Sequence, residues 1–316
     1  MPAPAGGAGT HYFDTSSLVL DVTDFIFELT PVDTPFFDLI GNGPTAQAPV
    51  HQWQSRDLTV RSDNAQPEGG TFTWTGANRL PVRRFNILQI QSKEGQVSGT
   101  QMADRHYGIS NLESDQVDIL TTELKTDNEH VLLRGTAASG DATATSRRMN
   151  GLIPIIQTAL SAYTNASGLT ITEGMFNAFA QQLWLLGSRP RDILTGGVGK
   201  RTVSSFRGGG NFILPADSMK QVNVVDTYTT DFGTVMLHLS RDILTGTSPS
   251  APTNGMSFLW VDKEACKKSW LRTPVAEKSP KVGDAAYYVV LHENTLEYGH
   301  PHSNGFMHNY KSIFSS

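Results

Sequence analysis

Residues 21–41 read DVTDFIFELTPVDTPFFDLIG and predict two short helices with a high density of large apolar side chains. Asp33 or Thr34 suits the N-cap of the second helix, and Pro35 suits its first turn. Gly41 suits its C-terminal end. The large apolar side chains are Phe25, Phe27, Phe36, Phe37, Leu39 and Ile40. Two short helices cannot bury so many, so we expect this segment to lie on another surface.

The segment around these helices is acidic. Residues 1–49 contain six Asp or Glu side chains, and no Lys or Arg precedes Arg56. We call residues 1–49 the arm. Its single charge sign predicts a positively charged partner surface.

Residues 50–97 change to short extended runs separated by turn-rich stretches, and they predict a long β-hairpin. Alternation such as Phe72-Thr-Trp74 makes each face only half apolar. An isolated two-stranded ribbon is marginal in water, so the hairpin needs a neighbour. Trp53 and Trp74 lie in this hairpin with no intrachain core evident, which makes both candidate interface residues.

A long helix is predicted at about residues 110–134. Ser110 and Glu113 form a capping-box pattern, and Gly135 suits the C-terminal end. At about 1.5 Å per residue the helix spans roughly 36 Å. Its apolar stripe is interrupted by polar turns, which favours a strut over a core element.

The rest of the chain predicts a mixed region of helices and strands. Thr170 and Glu173 open a second helix, whose buried face is expected to comprise Phe176, Phe179, Ala180, Leu183 and Trp184. Strands are expected at residues 192–195, 222–225, 235–239 and 258–261, with a short helix at 200–206. Residues 287–299, YYVVLHENTLEYG, predict a strand buried against a helix.

Composition narrows the functional classes. Lys and Arg total 25 against 30 Asp and Glu, a net charge of −5. The densest basic spots are pairs such as Arg147-Arg148, which disfavours tight binding to nucleic acid. The single cysteine, Cys266, cannot form an intrachain disulfide and predicts a reducing compartment. We expect no signal peptide, because the first residues lack a basic region followed by an apolar one. We expect no membrane span, because no stretch reaches about 20 apolar residues.

One pattern invites an enzymatic interpretation. Residues 195–202, TGGVGKRT, resemble a phosphate-binding P-loop. The motif needs a glycine four residues before the Gly-Lys pair, but Leu194 or Thr195 stands there. It also needs Ser or Thr directly after the lysine, where this chain has Arg201. We expect no catalytic residue, and we keep as an alternative a nucleotide-binding enzyme that uses residues 196–200.

Four histidines near the C-terminus invite a metal site: His292, His300, His302 and His308. No cysteine or second close pair completes a ligand set. Exposed loop histidines are the favoured interpretation. We therefore expect neither a metal nor a cofactor.

A family of phage major head proteins carries similar strings in the same order. In this chain they are DFIFELTPVDTPF at residues 24–36, LIG at 39–41, Trp53, Asp57-Leu58, Glu68-Gly, Asp231-Phe-Gly-Thr, Lys281-Val-Gly-Asp and Glu293-Asn-Thr-Leu-Glu. The match covers nearly the whole chain. The order of arm, hairpin, strut helix and returning strand also resembles the Hong Kong 97-type fold of tailed-bacteriophage major capsid proteins.

The resemblance implies an α+β chain in four parts. These are an N-terminal arm at residues 1–49, an extended E-loop hairpin at 50–97, a peripheral domain with a spine helix at 98–159 and 286–316, and an axial domain at 160–285. Many copies would form the pentamers and hexamers of an icosahedral head enclosing double-stranded DNA. The implied partners are a separate scaffolding protein, a portal and, in some heads, a decoration protein.

The resemblance also implies assembly in the host bacterial cytoplasm and a place in the virion shell, with a decoration protein as a further alternative for the chain itself. The candidate contacts between subunits are Phe25, Phe27, Phe36, Phe37, Trp53, Arg56, Phe72, Trp74, Arg79, Arg83 and Arg84.

Some shells of this fold are locked by isopeptide bonds from an E-loop lysine to a neighbour's asparagine. Here the first lysine is Lys93, at the base of the predicted hairpin, and residues 51–92 carry arginines instead. A guanidinium stays protonated and is a poor nucleophile. We expect the hairpin to bind without covalent bonds, its arginines meeting carboxylates such as a neighbour's acidic arm.

Overall fold

The structure is a computed structural model that describes residues 30–58, 61, 63, 65–71, 79–104, 106, 108–140, 145–206, 226–243, 255–280 and 283–312. The described helices are α1 (Pro35–Leu39), α2 (Gly99–Ala103), α3 (Leu112–Arg134), α4 (Leu152–Ala159), α5 (Glu173–Leu185) and α6 (Gly197–Ser205). The described strands are β1 (Gly41–Asn42), β2 (Val50–Ser55), β3 (Val82–Ile87), β4 (Gln89–Ser98), β5 (Tyr163–Asn165), β6 (Asp192–Thr195), β7 (Thr227–Thr230), β8 (Gly233–Leu239), β9 (Gly255–Val261), β10 (Lys267–Ser279), β11 (Ala285–Glu297) and β12 (Gly305–Lys311). The predicted α+β class is confirmed.

A four-stranded sheet, in the order β1-β10-β11-β4, supports the long helix α3. Strand β11 is antiparallel to both β10 and β4. Because side chains alternate across a strand, the even-numbered residues of β11 share one face. On that face Val290 packs against Leu120 and Leu124 of α3. The strand predicted at residues 287–299 is therefore confirmed, with a helix on its buried face.

The long helix begins one residue later than the capping-box pattern predicted. Asn111, not Ser110, is the N-cap, and its side chain accepts hydrogen bonds from the backbone N–H groups of Glu113 and Ser114. The helix ends at Arg134, and Gly135 follows it as predicted. Asparagine is as good an N-cap as serine, so a neighbouring residue took the role.

A six-stranded sheet, in the order β5-β12-β9-β6-β8-β7, forms the larger core. All four residues of β6 are buried, at the residues predicted from sequence. Helix α5 covers one face of this sheet, where the ring centroid of Phe176 lies 4.9 Å from that of Trp260. The strands expected at 235–239 and 258–261 lie within β8 and β9, and the one expected at 222–225 lies outside the described residues.

Helix α5 differs from the prediction in two details. Its N-cap is Thr172, which accepts a hydrogen bond from Met175 N, and not Thr170. Trp184 is 49% exposed and lies against Phe232, so the expectation that it is a core residue was wrong. Trp184 follows Leu183 by one residue, about 100° around the helix, which places it at the margin of the buried face.

The predicted hairpin is shorter than residues 50–97. Strand β2 pairs with β3 in an antiparallel ladder from Val50↔Ile87 to Ser55↔Val82. Strand β4 leaves the hairpin and pairs with β11 instead. Leu88, which is fully buried, separates β3 from β4. The alternating pattern continues through both strands, so it cannot show where the partner changes. No helix in the described ranges is long and apolar enough to cross a membrane.

Candidate subunit interface

The second predicted arm helix, α1, belongs to the core of its own chain. Phe36 is fully buried and Ile40 is 2% exposed, and both lie in the main hydrophobic cluster. Phe36 was a candidate contact between subunits, and the structure corrects this assignment. Its aromatic ring fills space within the subunit, so a neighbour cannot reach it in this conformation.

A buried carboxylate attaches α1 to the long helix. The two carboxylate oxygens of Glu129, on α3, accept hydrogen bonds from Phe36 N at 2.9 Å and Phe37 N at 2.5 Å. Glu129 is fully buried. Burial raises the pKa of Glu129 to about 7 although these two hydrogen bonds lower it, and Asp242 and Asp38 raise it further. This carboxylate caps the first turn of α1.

The other end of α1 is held by a lysine. Lys268 Nζ on β10 donates to Phe37 O and lies 3.7 Å from the centroid of the Phe37 ring. Burial lowers the pKa of Lys268. The Phe37 ring also meets Trp270 edge-on, with centroids 6.3 Å apart. Lys125 binds Asp38 at 2.8 Å. Helix α1 is therefore held at both ends.

The inner face of the hairpin packs on its own chain. Trp53 Nε1 donates to Gly299 O at 2.8 Å, and the Trp53 ring meets Tyr298 edge-on at 4.8 Å between centroids. His51 Nε2 lies 3.1 Å from Glu297 Oε2. The expectation that Trp53 has no intrachain packing was wrong, because its partners follow β11, about 245 residues later in the chain.

The outer face of the same hairpin is open. In the register of β2 and β3, Gln52 lies opposite Phe85 and Gln54 opposite Arg83, so these residues share a face with Val50. Phe85 is 61% exposed and Val50 is 40% exposed. We call Val50, Gln52, Gln54, Arg83 and Phe85 the outer hairpin face. Phe85 was not among the contact residues predicted from the sequence. The alternation of apolar Phe85 with charged Arg84 was the only indication that it lies on a separate face.

The other predicted contact residues fall into two groups. Arg56, Arg79 and Arg83 are exposed, and Arg84 is half-buried with its Nε donating to Ser55 Oγ at 3.1 Å. These arginines lie along and beside the hairpin. Four more candidates lie outside the described residues: Phe25, Phe27, Phe72 and Trp74.

Packing explains one glycine of the P-loop-like stretch, Gly199 in the first turn of α6. A Cβ atom on Gly199 would overlap Thr195 Oγ1 and would lie 3.2 Å from the Phe258 ring. Glycine here lets α6 approach the sheet closely. Lys200 Nζ binds Asp226 at 2.6 Å. Close packing and an ion pair thus give structural roles to Gly199 and Lys200, two residues of the P-loop-like stretch.

The C-terminal histidines do not form one cluster, although the rings of His300 and His302 lie 5.0 Å apart between centroids. His292 lies on β11 and is 2% exposed, so the interpretation as an exposed loop residue was wrong for it, and burial lowers its pKa to about 4. None of the four is exposed, and His308 lies half-buried on β12, so the exposed-loop interpretation was wrong for His308 as well. His308 Nδ1 lies 3.1 Å from Ser257 Oγ, and His302 Nδ1 lies 2.7 Å from Ser161 Oγ. Within the described part of the chain, no three His, Cys, Asp or Glu side chains are placed to hold a metal.

Solved capsid structures share this fold. The capsid of a native GTA particle matches with a TM-score of 0.66 and 11% identity, covering 97% of this chain and all of that one. Gordonia phage Cozz matches with a TM-score of 0.62 and 10% identity, over 100% and 99% of the two chains. Cyanophage P-SCSP1u gives a TM-score of 0.60 and 11% identity, over 98% and 97%. The chain therefore has the Hong Kong 97-type fold, as the sequence resemblance implied.

The sequence specifies the family within that class. Residues 8–311 match the SU10 major capsid protein family, and the chain belongs to it. The major capsid protein of Escherichia phage Phieco32 is 31% identical over 126 residues, which cover 40% of this chain and 35% of that protein. The aligned region therefore spans about a third of that relative's length.

Proposed function

We propose that this chain is the subunit of an icosahedral phage head, in which many copies form pentamers and hexamers around double-stranded DNA. Membership of a major capsid protein family supports the structural role. One observation carries the assembly mechanism: the hairpin is packed on one face and bears an exposed phenylalanine on the other. An exposed aromatic beside arginine is typical of the centre of a protein interface.

The four-part division of the chain remains our proposal, with one boundary moved. The arm is residues 1–49, but α1 within it is part of the subunit core. The E-loop hairpin ends at residue 87, because β4 joins the sheet that carries the spine helix α3. The axial part corresponds to residues 160–285.

The charges of the hairpin and of the arm are opposite, which supports a contact between these two segments of neighbouring copies. Arg56, Arg79 and Arg83 are exposed on or near the hairpin, and residues 1–49 carry only acidic charges. Arginine binds carboxylates through paired hydrogen bonds. We place the hairpin of one copy against the acidic arm of the next.

The net charge of −5 fits a shell that encloses DNA without binding it tightly. We propose assembly in the host bacterial cytoplasm with a separate scaffolding protein and a portal, and with a decoration protein in the finished virion. The chain itself acts as a structural protein and not as a nucleotide-binding enzyme.

The outer hairpin face provides the test. Phe85→Ala should leave the unassembled subunit folded, because the ring is mostly in solvent, and should sharply reduce the yield of closed shells. Met236→Ala, which truncates a similarly exposed apolar side chain on β8, outside the hairpin, is the control and should leave shell yield unchanged. Circular dichroism checks the subunit, and size exclusion with negative-stain electron microscopy counts shells. Normal shells from the Phe85→Ala chain would refute the role of this face.

A further inference from the structure

One buried amide stands at the root of the hairpin. Asn86 lies in β3 between the exposed Phe85 and the half-buried Ile87, and its side chain points to the inner face, where it is 2% exposed. Asparagine is uncommon in strands and is costly to bury unless its polar atoms are paired. Both polar atoms of the Asn86 side chain, Nδ2 and Oδ1, therefore need hydrogen-bond partners within the protein.

All the hydrogen-bonding capacity of the Asn86 side chain is used. Its Nδ2 donates to Leu296 O at 2.8 Å and to Asn150 O at 3.0 Å. Its Oδ1 accepts from Asn150 N at 2.9 Å and from Ile87 N at 2.9 Å. An amide side chain offers two donor hydrogens and two acceptor lone pairs, so none is left over. The amide joins the hairpin to β11 and to the segment before α4.

The remaining tethers of the hairpin are of a different kind. Trp53 and His51 contact the end of β11 and its following loop, and both are only half-buried. His51 Nε2 also lies 3.4 Å from Ser269 Oγ on β10, and Asp57, just after β2, lies 3.0 Å from His300 Nε2. Thr295 Oγ1 donates to Ile87 O at 2.9 Å, a single hydrogen bond to the hairpin backbone. Asn86 alone among these links three segments through one buried side chain.

The hairpin acts as a lever about this point. The far end of β3, Val82, is four residues or roughly 13 Å from Asn86, so a rotation of about 10° at the root moves that end by about 2 Å. A displacement of that size is enough to lose the fit of an aromatic side chain in an interface. In the part of the chain that the structure describes, the hairpin rests on its own subunit through its inner face, so its direction depends on the contacts at and near the root.

We propose that Asn86 is the positioning residue that fixes the direction in which the hairpin leaves the subunit, and thereby where the outer hairpin face meets the next copy. This inference rests on the proposed function for its consequence in the shell. The direction itself is a property of the single subunit and can be measured there.

Pulsed electron paramagnetic resonance on the unassembled full chain measures that direction. Spin labels are attached at Gln54→Cys on the hairpin and Asp118→Cys on α3, both exposed positions. The native Cys266 is fully buried, and burial raises the pKa of its thiol to about 12, so it stays unlabelled.

The wild-type subunit should give one narrow distance distribution. Asn86→Ala removes all four hydrogen bonds and should broaden the distribution or shift it by about 2 Å, since Gln54 lies opposite Arg83, three residues from Asn86. Asn86→Asp retains the size but turns an acceptor toward two carbonyl oxygens, and should shift it at least as much. The control Gln52→Ala, on the outer face, should leave the distribution unchanged.

The outcomes separate the inference from the proposed function. An Asn86→Ala distribution that coincides with wild type overturns the positioning role, whatever happens in assembly. Should Asn86→Ala fail to fold by circular dichroism, Asn86→Ser is measured in its place, and the same comparison decides. Loss of shell assembly in Phe85→Ala tests the interface independently, because that substitution leaves the root intact.

Discussion

Neutralising Glu129 should change how the stability of the subunit depends on pH. Glu129 is fully buried, and its pKa is raised to about 7 from an ordinary value of 4.5. The folded chain therefore holds a proton on this group that the unfolded chain has lost between these two values. Linkage then requires that the stability contributed by this group falls as pH rises through this window.

The magnitude follows from the two pKa values. Between about pH 5.5 and about pH 8.5 the wild type should lose roughly 2 kcal/mol of unfolding free energy through Glu129. Glu129→Gln cannot titrate and should lack this part of the slope. The variant keeps an acceptor for Phe36 N but turns its amide NH₂ toward Phe37 N, which costs about 1–3 kcal/mol at all pH values.

Urea denaturation of the unassembled chain at several pH values measures these differences. Trp270 is a local fluorescence reporter, because its ring contacts Phe37. Glu123→Gln, an exposed carboxylate on the same helix, is the control and should retain the wild-type slope. Parallel pH curves for wild type and Glu129→Gln would refute the reasoning, since they would mean that Glu129 titrates alike in both states.

Two further predictions concern the arm and covalent chemistry. Deleting residues 1–29 should leave a folded subunit that assembles poorly. Deleting residues 1–40 also removes Phe36 and Ile40 from the core, so it should lower the melting temperature by several degrees in thermal circular dichroism. Shells boiled in denaturant should run as one band near 34.4 kDa on a denaturing gel. Lys93 binds Asp127 at 2.9 Å, and this hydrogen bond raises the pKa of Lys93, so the amine stays protonated and does not attack. A ladder of multimers resistant to reducing agent would contradict this.

Much of the local structure could be predicted from contiguous sequence. The long helix ends where Gly135 stands, and β6 occupies residues 192–195, because caps and apolar runs act within a few neighbouring residues. The predictions that were wrong concerned residues adjacent in sequence, where the pattern fits either residue. Asn111 replaced Ser110 as a cap, and Trp184 lies at the margin of a helix face that its spacing includes.

The candidate interface was only partly predictable. The sequence indicated that arm and hairpin carry more apolar surface than they can bury, but it could not assign that surface. Phe36 proved to be core, and Trp53 lies against its own chain, while Phe85 is exposed. Each assignment depends on contacts with residues far away in the chain, for which periodicity has no signal.

The amino-acid sequence by itself determined the class of the protein: an acidic aromatic arm, a ribbon and a strut helix, in an order shared with major capsid proteins. Only the tertiary structure decided which face of each extension stays open. Glu129 meets the arm across 92 to 93 residues of chain, and Asn86 meets β11 across 210. A lone polar residue in a helix or strand has no motif, because its role comes from backbone groups that folding brings to it.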